Sequence, residues 1–559
     1  MSSNDKEIVY VVVYNPIGSA RTEQLRLPIS SAKKKPKVVV LSTGESIGAM
    51  VLPSTQWASD EQKDALNSVP SDEQTLSPYV VVFDMVLPPL GYQVVSVRFS
   101  EQEDESLGKV GQIRAPEKSL PIVLENELVS VEFDPLSGLM TSMTHKSTGA
   151  QASVTQGFFY YSAENSGPWM LRPDQKSPEQ ALCVGKCNMA TSIQVVHSPL
   201  VSGKVIEVIQ KFDNWVTQTA RVLPGQDTVE LEWTVGPVPL NDNVSKEVFS
   251  RFSTDIKSGE KWFVDSNGYE VTSRRLNHRD TFNLTVTEPI AGNVVNMNSM
   301  IMIEEKARSF MVMNDRSQGG VSLRSGEVDV FLHRRLLGFD YPGGGMGPSP
   351  EPLNETRKFD WSKNDVAQGW TRDGPGIVIR GKHRIGVANS KSSARMYRKT
   401  HESMFRTPLL AFDVESAQDP MPYSTVSAAT LSEDLPENVH VVSFQQRKQT
   451  TVTTTFLLRL MHAFSVEEDT ILSKPVTVSL KKIFSSTGPI NGEVIGVSEW
   501  NLVANQPLSE MKKPLLWHSS KEHPPLDPLP PLSPVVGPDY NVTLTPLKIR
   551  TFAVTFGKQ

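Results

Sequence analysis

Apolar residues recur along this chain in short runs with the two-residue period of half-buried β-strands, and turn residues separate the runs. "EIVYVVVYNPIG", beginning at Glu7, is a β-branched run closed by Asn-Pro and Gly. "KVVVLSTGE", "SPYVVVFDMVLPPLGYQVVSVRF" and "ELVSVEFDPLSGLMTSMTH" repeat the pattern, and in the last of these Asp134-Pro135-Leu136-Ser137-Gly138 forms a turn between two alternating segments. "KVIEVIQKF", "QTARVLPGQDTVELEWTVGPV" and "SMIMIEEKARSFMVMND" follow. Few segments show a helical period over three turns. The pattern predicts an all-β protein of several antiparallel β-sandwiches.

One segment is unusual. In "NDRSQGGVSLRSGEVDVFLHRRLLGFD", Asn314–Asp340, alternation predicts a strand with Val330, Leu332, Arg334 and Leu336 on one face. Phe331, His333, Arg335 and Leu337 take the other face. Both faces are mostly apolar and each carries one arginine. An antiparallel sandwich strand normally shows one face to water, so two covered faces call for a further layer.

Composition shifts divide the chain. Residues 1–105 read as a small β domain and 106–120 as a charged, Pro/Gly-punctuated linker. Residues 121–400 read as a large β-sandwich with a Gly/Pro-rich surface insertion at 341–374. Residues 401–559 form a C-terminal β block with a Pro-rich extended loop at 523–538. A chain of 559 residues exceeds one core. A hydrophobic fraction of 38% suffices to fold it, and 40 Pro and 35 Gly suit many turns.

A formal charge of −6 gives no basic field for nucleic acid. No apolar run approaches the ~18 residues of a membrane span. The opening "MSSNDKEIVYVVVYNPIG" lacks the basic start, apolar core and cleavage site of a secretory leader. Cys183 and Cys187 are read as two ordinary thiols, with a small local disulfide as the alternative; no further pair is spaced to complete a zinc site. The sequons at Asn243, Asn283, Asn354 and Asn541 are compatible with a secretory route.

Nucleophile-elbow, zincin and P-loop motifs are absent. "GGGMG" at Gly343–Gly347 follows no strand-then-helix context and is read as loop. His333, four residues after Asp329, is read as a satisfied structural histidine. Asp265, Glu288, Asp315 and Asp340 are candidate carboxylates for glycosidase chemistry. For Asp265, the Asn-Gly that follows makes a hairpin turn the simpler reading, and Glu288 can cap or pair with an arginine.

Three blocks in register carry a resemblance: "TEP-AGN", then "DRSQGG-SLR-G", then "HRRLL--D". With "SGPWMLRPDQ", "ENELVSVEFDPLSGLM", "LLRLMHAF" and "LKIRTFAVTF", the chain resembles, over nearly its whole length, the C-terminal half of family 38 α-mannosidases of the lysosomal and vacuolar type. The resemblance implies a galactose-mutarotase-like supersandwich flanked by smaller β domains. It implies that full-length enzymes are retaining, zinc-dependent exo-α-mannosidases whose nucleophile and metal ligands lie in an N-terminal barrel and helical bundle outside this sequence. No catalytic or metal role is therefore carried over. The positions matching the family's sugar-site wall are Trp169, where the family usually has tyrosine, and Arg334 or Arg335 of the "HRRLL" strand. Ion pairing of these arginines with Asp315 or Asp329 is the competing account. The implied partners are α-mannoside glycans and the catalytic barrel, the implied compartment a lysosome or vacuole, and the cofactor zinc, held elsewhere. Such a chain is expected to brace the barrel and to be inactive alone, with an extensive apolar face near the "HRRLL" strand. The alternative is a stand-alone carbohydrate-binding or scaffolding β-sandwich.

Overall fold

The computed structural model describes residues 7–54, 77–100, 108–163, 166–167, 170–174, 177–187, 189–336, 338–340, 346–348, 376–416, 423–484, 488, 490, 492–511 and 534–558. Strand content dominates, and the sheets are overwhelmingly antiparallel. The N-terminal runs form two small facing sheets. Strand β1 (Glu7–Asn15) buries Val9, Val11 and Val13 on its inner face. Strand β2 (Arg21–Ile29), in the facing sheet, supplies Leu25 and Leu27 to the same cluster. Strand β3 (Gly91–Ser100) pairs with β1 and adds Val95, Val97 and Phe99. The stretch read as a linker is stitched at both ends. Lys109–Val110 pairs in parallel with Ala49–Pro53, and Gln112–Arg114 pairs with Ser192–His197 of the next unit.

The large sandwich has two layers. One contains β4 (Ala150–Ser162) and the other β5 (Val205–Asp213), β6 (Val216–Val222) and β7 (Val229–Val235). Strand β8 (Lys246–Thr254) and β9 (Glu327–Arg335) continue the β4 layer, and β10 (Ile379–Asn389) pairs with β7 in the opposite one. Phe252 of β8 meets Phe310 of the opposite layer at 5.9 Å between ring centroids, within one continuous core.

All seven residues of β7 are buried. Val229, Leu231, Trp233 and Val235 enter the core. Glu230 and Glu232 point the other way and stay buried because arginines meet them. Arg221 of β6 bonds Glu230 at 3.2 Å and Glu232 at 2.8 Å. Arg26 of β2 pairs with Glu207 of β5 at 2.7 Å, which ties the N-terminal sheets to this layer.

The helix α1 (Ser393–Phe405) crosses the sequence-based boundary at 400. It buries Met396, Tyr397, Thr400 and His401, and its Arg398 pairs with Glu468 at 2.7 Å. Strand β11 (Leu409–Ser416) then returns to the first sheet and pairs with β1, Tyr10 opposite Asp413. A pattern read along the chain cannot show this return, because the two strands pair across almost 400 intervening residues. The last block contains β12 (Val439–Gln449), β13 (Thr453–His462), β14 (Gly492–Trp500) and β15 (Ile549–Lys558) around Leu458, Leu460, Phe552 and Val554.

Candidate functional site: the outer face of the β4–β8–β9 layer

Residues directly opposite in an antiparallel ladder share a face. Across β4, β8 and β9 the register gives three rows: Gly157–Arg251–Asp329, Phe159–Phe249–Phe331 and Tyr161–Glu247–Arg334. The intervening rows, Phe158–Ser250–Val330 among them, face the opposite layer, where Phe158 meets Phe212 of β5 at 4.8 Å between ring centroids. The three rows therefore occupy the outer face of this layer.

The rows are kept in step by a β-bulge. Val248 pairs with His333 and Phe249 with Phe331, so Leu332 is an extra residue. Counting by twos groups Leu332 with Arg334 and puts His333 on the face of Asp329. The bulge corrects both. Arg334 joins Asp329 and Phe331 on the outer face, while His333 and Arg335 take the inner side. A one-residue slip exchanges faces for every later side chain, and nothing in the apolar pattern marks it.

The outer face is aromatic and charged. Phe249 stacks with Tyr161 at 4.8 Å and lies 5.4 Å from Phe331. Arg251 clasps Asp329 through Nε at 2.7 Å and Nη2 at 2.8 Å, donates to the Tyr161 hydroxyl at 3.2 Å, and lies 5.2 Å from the Phe159 and Phe249 rings. Burial, together with the Asp329 carboxylate, pushes the Tyr161 phenol far above its ordinary value, so it stays a neutral donor. Arg334 pairs with buried Glu247 and donates from Nη2 to the Met170 carbonyl at 2.9 Å. Its side chain keeps 28% exposure against 3% for Glu247, so the guanidinium stands at a rim over a buried anion.

The two segments proposed for the sugar-site wall thus converge. Trp169 lies outside the described residues, but its neighbour Met170 is in contact with Arg334. Arg335 does not join them: it is buried on the inner side and donates to the Val238 carbonyl at 2.7 Å. The carboxylates of the competing account are engaged by other residues. Asp329 engages Arg251, and Asp315 engages Arg316 at 3.0 Å and the Lys382 backbone N–H at 3.0 Å. Glu247, Tyr161 and Arg251 escaped the sequence reading; the signal for them was charge and hydroxyl at alternate positions of two strands whose pairing was unknown.

His333 is structural as expected. Its Nε2 contacts the Ile377 carbonyl at 3.1 Å, and burial lowers its pKa against that bond. Asp265 is fully buried in a hairpin and accepts from the Gly268, Ser299 and Met300 N–H groups, each at 2.8 Å. Glu288 pairs with Arg172 at 3.6 Å. The side chain of Asp340 and most of the 341–374 insertion, including Gly343–Gly345, lie outside the described residues, though Met346–Pro348 pairs with Gly338–Asp340. The reading of two ordinary thiols is overturned: Cys183 and Cys187 form a disulfide. Gly185, at φ +69° and with its Cα against the Phe212 carbonyl, turns the chain so that the two Cα atoms come to 5.3 Å, within disulfide reach.

Tyr161, Phe249, Glu247, Arg251 and Asp329 are buried, so the accessible part of this face is the rim at Arg334, and the carboxylates are committed. Asp329 and Glu247 are each neutralised by an arginine and lie in a dry setting, so neither is placed as a nucleophile or as a general acid. Among the described residues no group of three or more His, Cys, Asp and Glu could hold a metal, so these side chains do not fit a zinc site. No described helix is long and apolar enough to cross a membrane.

Residues 124–342 match the family described as "Glycosyl hydrolases family 38 C-terminal domain". Lysosomal alpha-mannosidase of Homo sapiens is 32% identical over 97% of this chain, which covers 48% of that protein. Alpha-mannosidase of Canavalia ensiformis is 28% identical over 99% of the chain and 53% of its own length. The chain spans about half the length of the curated relatives it matches. A solved alpha-mannosidase from Enterococcus faecalis shares the fold at a TM-score of 0.56 and 12% identity, covering 98% of this chain and 56% of the other. The all-β sandwich architecture, the family match within the large sandwich and relatives that align along almost the whole chain agree: this chain belongs to glycosyl hydrolase family 38 and corresponds to its C-terminal portion.

Proposed function

We propose that this chain is the β portion of a zinc-dependent α-mannosidase acting on terminal α-mannosyl residues of glycans, in a lysosomal or vacuolar setting. Its role is to brace the catalytic part and to complete the rim of the sugar site with Arg334 and the segment around Trp169. The observation that carries the reading is the Arg334–Met170 contact, which joins the two wall segments on an outer face beside Phe331. There the guanidinium is a fixed donor for sugar hydroxyls, held in place by Glu247. The nucleophile and the zinc ligands belong to a part of the enzyme that this chain does not supply, and no step is assigned to its own residues.

The test is an assay of the purified chain on an aryl α-mannoside with added zinc or cobalt. No turnover above the blank is expected. Restoring the upstream half found in its relatives should restore activity, and Arg334→Ala should then raise KM. Turnover by the chain alone defeats the reading, as does an unchanged KM in Arg334→Ala.

A further inference from the structure

The chain leaves β4 at Ala163 and returns to pair with it as the two-residue strand Leu182–Cys183, Leu182 opposite Tyr160 and Cys183 opposite Phe159. The excursion between these two roots is a strap that carries Met170, whose carbonyl accepts from Arg334 at 2.9 Å. The departing root is fixed to the start of β8, where the Ala163 N–H donates to the Ser245 carbonyl at 3.1 Å. Within the strap the described ties are local. Gly167 and Met170, which flank Trp169 in the sequence, exchange backbone bonds at 3.2 and 3.1 Å. The Arg172 N–H donates to Ser166 Oγ at 2.8 Å, and the Asp174 N–H to the Ser162 carbonyl at 2.9 Å. Two ion pairs reach outward, Arg172–Glu288 at 3.6 Å and Glu179–Arg324 at 3.7 Å. Both are long and open to solvent, and such pairs hold little.

The return root is built differently. By register Cys183 ends the outer-face row Phe159–Phe249–Phe331. Val184 is buried, and its N–H donates to the Phe158 carbonyl at 2.9 Å. Gly185 then turns the chain against the Phe212 carbonyl of β5, and the bridge joins Cys183 to Cys187 beyond that turn. Cys183 is therefore held from two sides, by the main chain at Val184 and through sulfur at Cys187.

We infer that Cys183 and Cys187 are positioning residues for the sugar-site rim: their bridge fixes the return root of the strap, and with it the Met170 carbonyl that orients Arg334. The inference rests on the reading of Arg334 as part of that rim. With the bridge closed, Cys183 cannot swing off β4 without displacing Val184 and Cys187 together. With the bridge open, two ladder residues and Val184 hold the root, and so short a strand opens locally. Each opening frees the strap to drift and takes the Met170 carbonyl from Arg334. A guanidinium with one fewer fixed acceptor is less well oriented toward sugar hydroxyls. Sugar binding then weakens, while the chemical step, assigned to another part of the enzyme, keeps its rate.

The test compares the wild-type chain with the double variant Cys183→Ser/Cys187→Ser by native-state hydrogen exchange. The amides of Met170, Arg172 and Asp174 should exchange at least about tenfold faster in the variant. Those of Phe249 and Val330, in β8 and β9, should stay protected in both. Reducing the wild type with a phosphine should reproduce the variant, and reoxidation should reverse the change. In the enzyme completed with the upstream half, the double variant should raise KM for an aryl α-mannoside by about three- to tenfold with kcat unchanged. Strap amides that exchange alike in both proteins overturn the inference. So does a loss of protection at Phe249 and Val330 as large as in the strap, which is what a bridge of purely global effect would give. A KM unmoved in the double variant, where Arg334→Ala raises it, defeats the inference alone. A KM unmoved by Arg334→Ala as well defeats the sugar-site reading, and this inference with it.

Discussion

The guanidinium of Arg334 donates to the backbone carbonyl of Met170, 164 residues earlier in the chain, at 2.9 Å. The same Nη2 also meets the Glu247 carboxylate, so one side chain ties a surface segment to the strand pair β8–β9. Its position on the outer face depends on the single extra residue, Leu332, in the ladder below it.

Arg334→Met removes the guanidinium that pairs with the buried Glu247 carboxylate, which should cost about 3 kcal/mol. Glu247→Gln in the same background should recover much of that, because a neutral amide carries a smaller desolvation penalty. Denaturant unfolding of the two single variants and the double variant gives the coupling; strictly additive losses would sink the pairing as the source of the effect.

Glu402 and His440 meet where α1 packs on β12, Oε2 to Nε2 at 3.3 Å. Burial raises Glu402 to about 7 against the pull of Arg406 and Arg21. Burial lowers His440 to about 3, and Arg406, His401, Arg398 and His462 add to that. Both groups are neutral in the mildly acidic range, so the contact joins two neutral groups rather than an ion pair. Glu402 contributes stability in full below its ordinary value of 4.5 and loses it as pH rises through about 7. His440 contributes in full above its ordinary 6.5 and loses it as pH falls toward about 3. The two slopes oppose each other between these ordinary values, so stability should be nearly level there, with a net alkaline loss below about 1 kcal/mol. Glu402→Gln should flatten the alkaline limb of a Tm-against-pH series; an unchanged limb assigns it to other groups.

Arg221 stands among Glu207, Glu230 and Glu232 and is 2% exposed. Burial alone would push Glu230 up, but Lys382, Arg384 and Arg221 overrule it and hold it far below the ordinary carboxylate range. Its contribution is present above the ordinary 4.5 and is lost only as strong acid reaches the folded value. Arg221→Met should destabilise the large sandwich by roughly 3–5 kcal/mol. That deficit should shrink as pH falls and the glutamates deprived of Arg221 take up protons. A deficit independent of pH points to lost packing instead.

The Cys183–Cys187 bridge closes a short loop, for which chain entropy predicts about 2 kcal/mol. Alkylation of the unfolded, unreduced chain should add no mass at either cysteine, and a reductant should lower Tm by a few degrees. Two alkylated thiols in the unreduced chain would restore the reading of free cysteines.

The strand-rich fold was legible because alternation is local. Val9, Val11 and Val13 show their shared face in five residues of sequence, and "DPLSG" announces its own turn. The site was legible in part. Arg334 and the Met170 neighbourhood were singled out by resemblance, whereas Glu247 and Tyr161 were not, because a charged residue in a strand looks the same whether it meets solvent or a partner. The helix α1 was missed because its buried positions include Thr400, His401 and Ser403, which carry no apolar period.

The sequence by itself determined that this chain builds antiparallel sandwiches and to which family it belongs. Side-chain period and motif order are properties of neighbouring residues. Tertiary structure alone decided three things. It decided that β11 crosses back to the first sheet, that Cys183 closes on Cys187, and which arginine of "HRRLL" faces outward. The last turns on one bulged residue, and the register of β9 is set by its partner β8, whose hydrogen bonds lie far away along the chain.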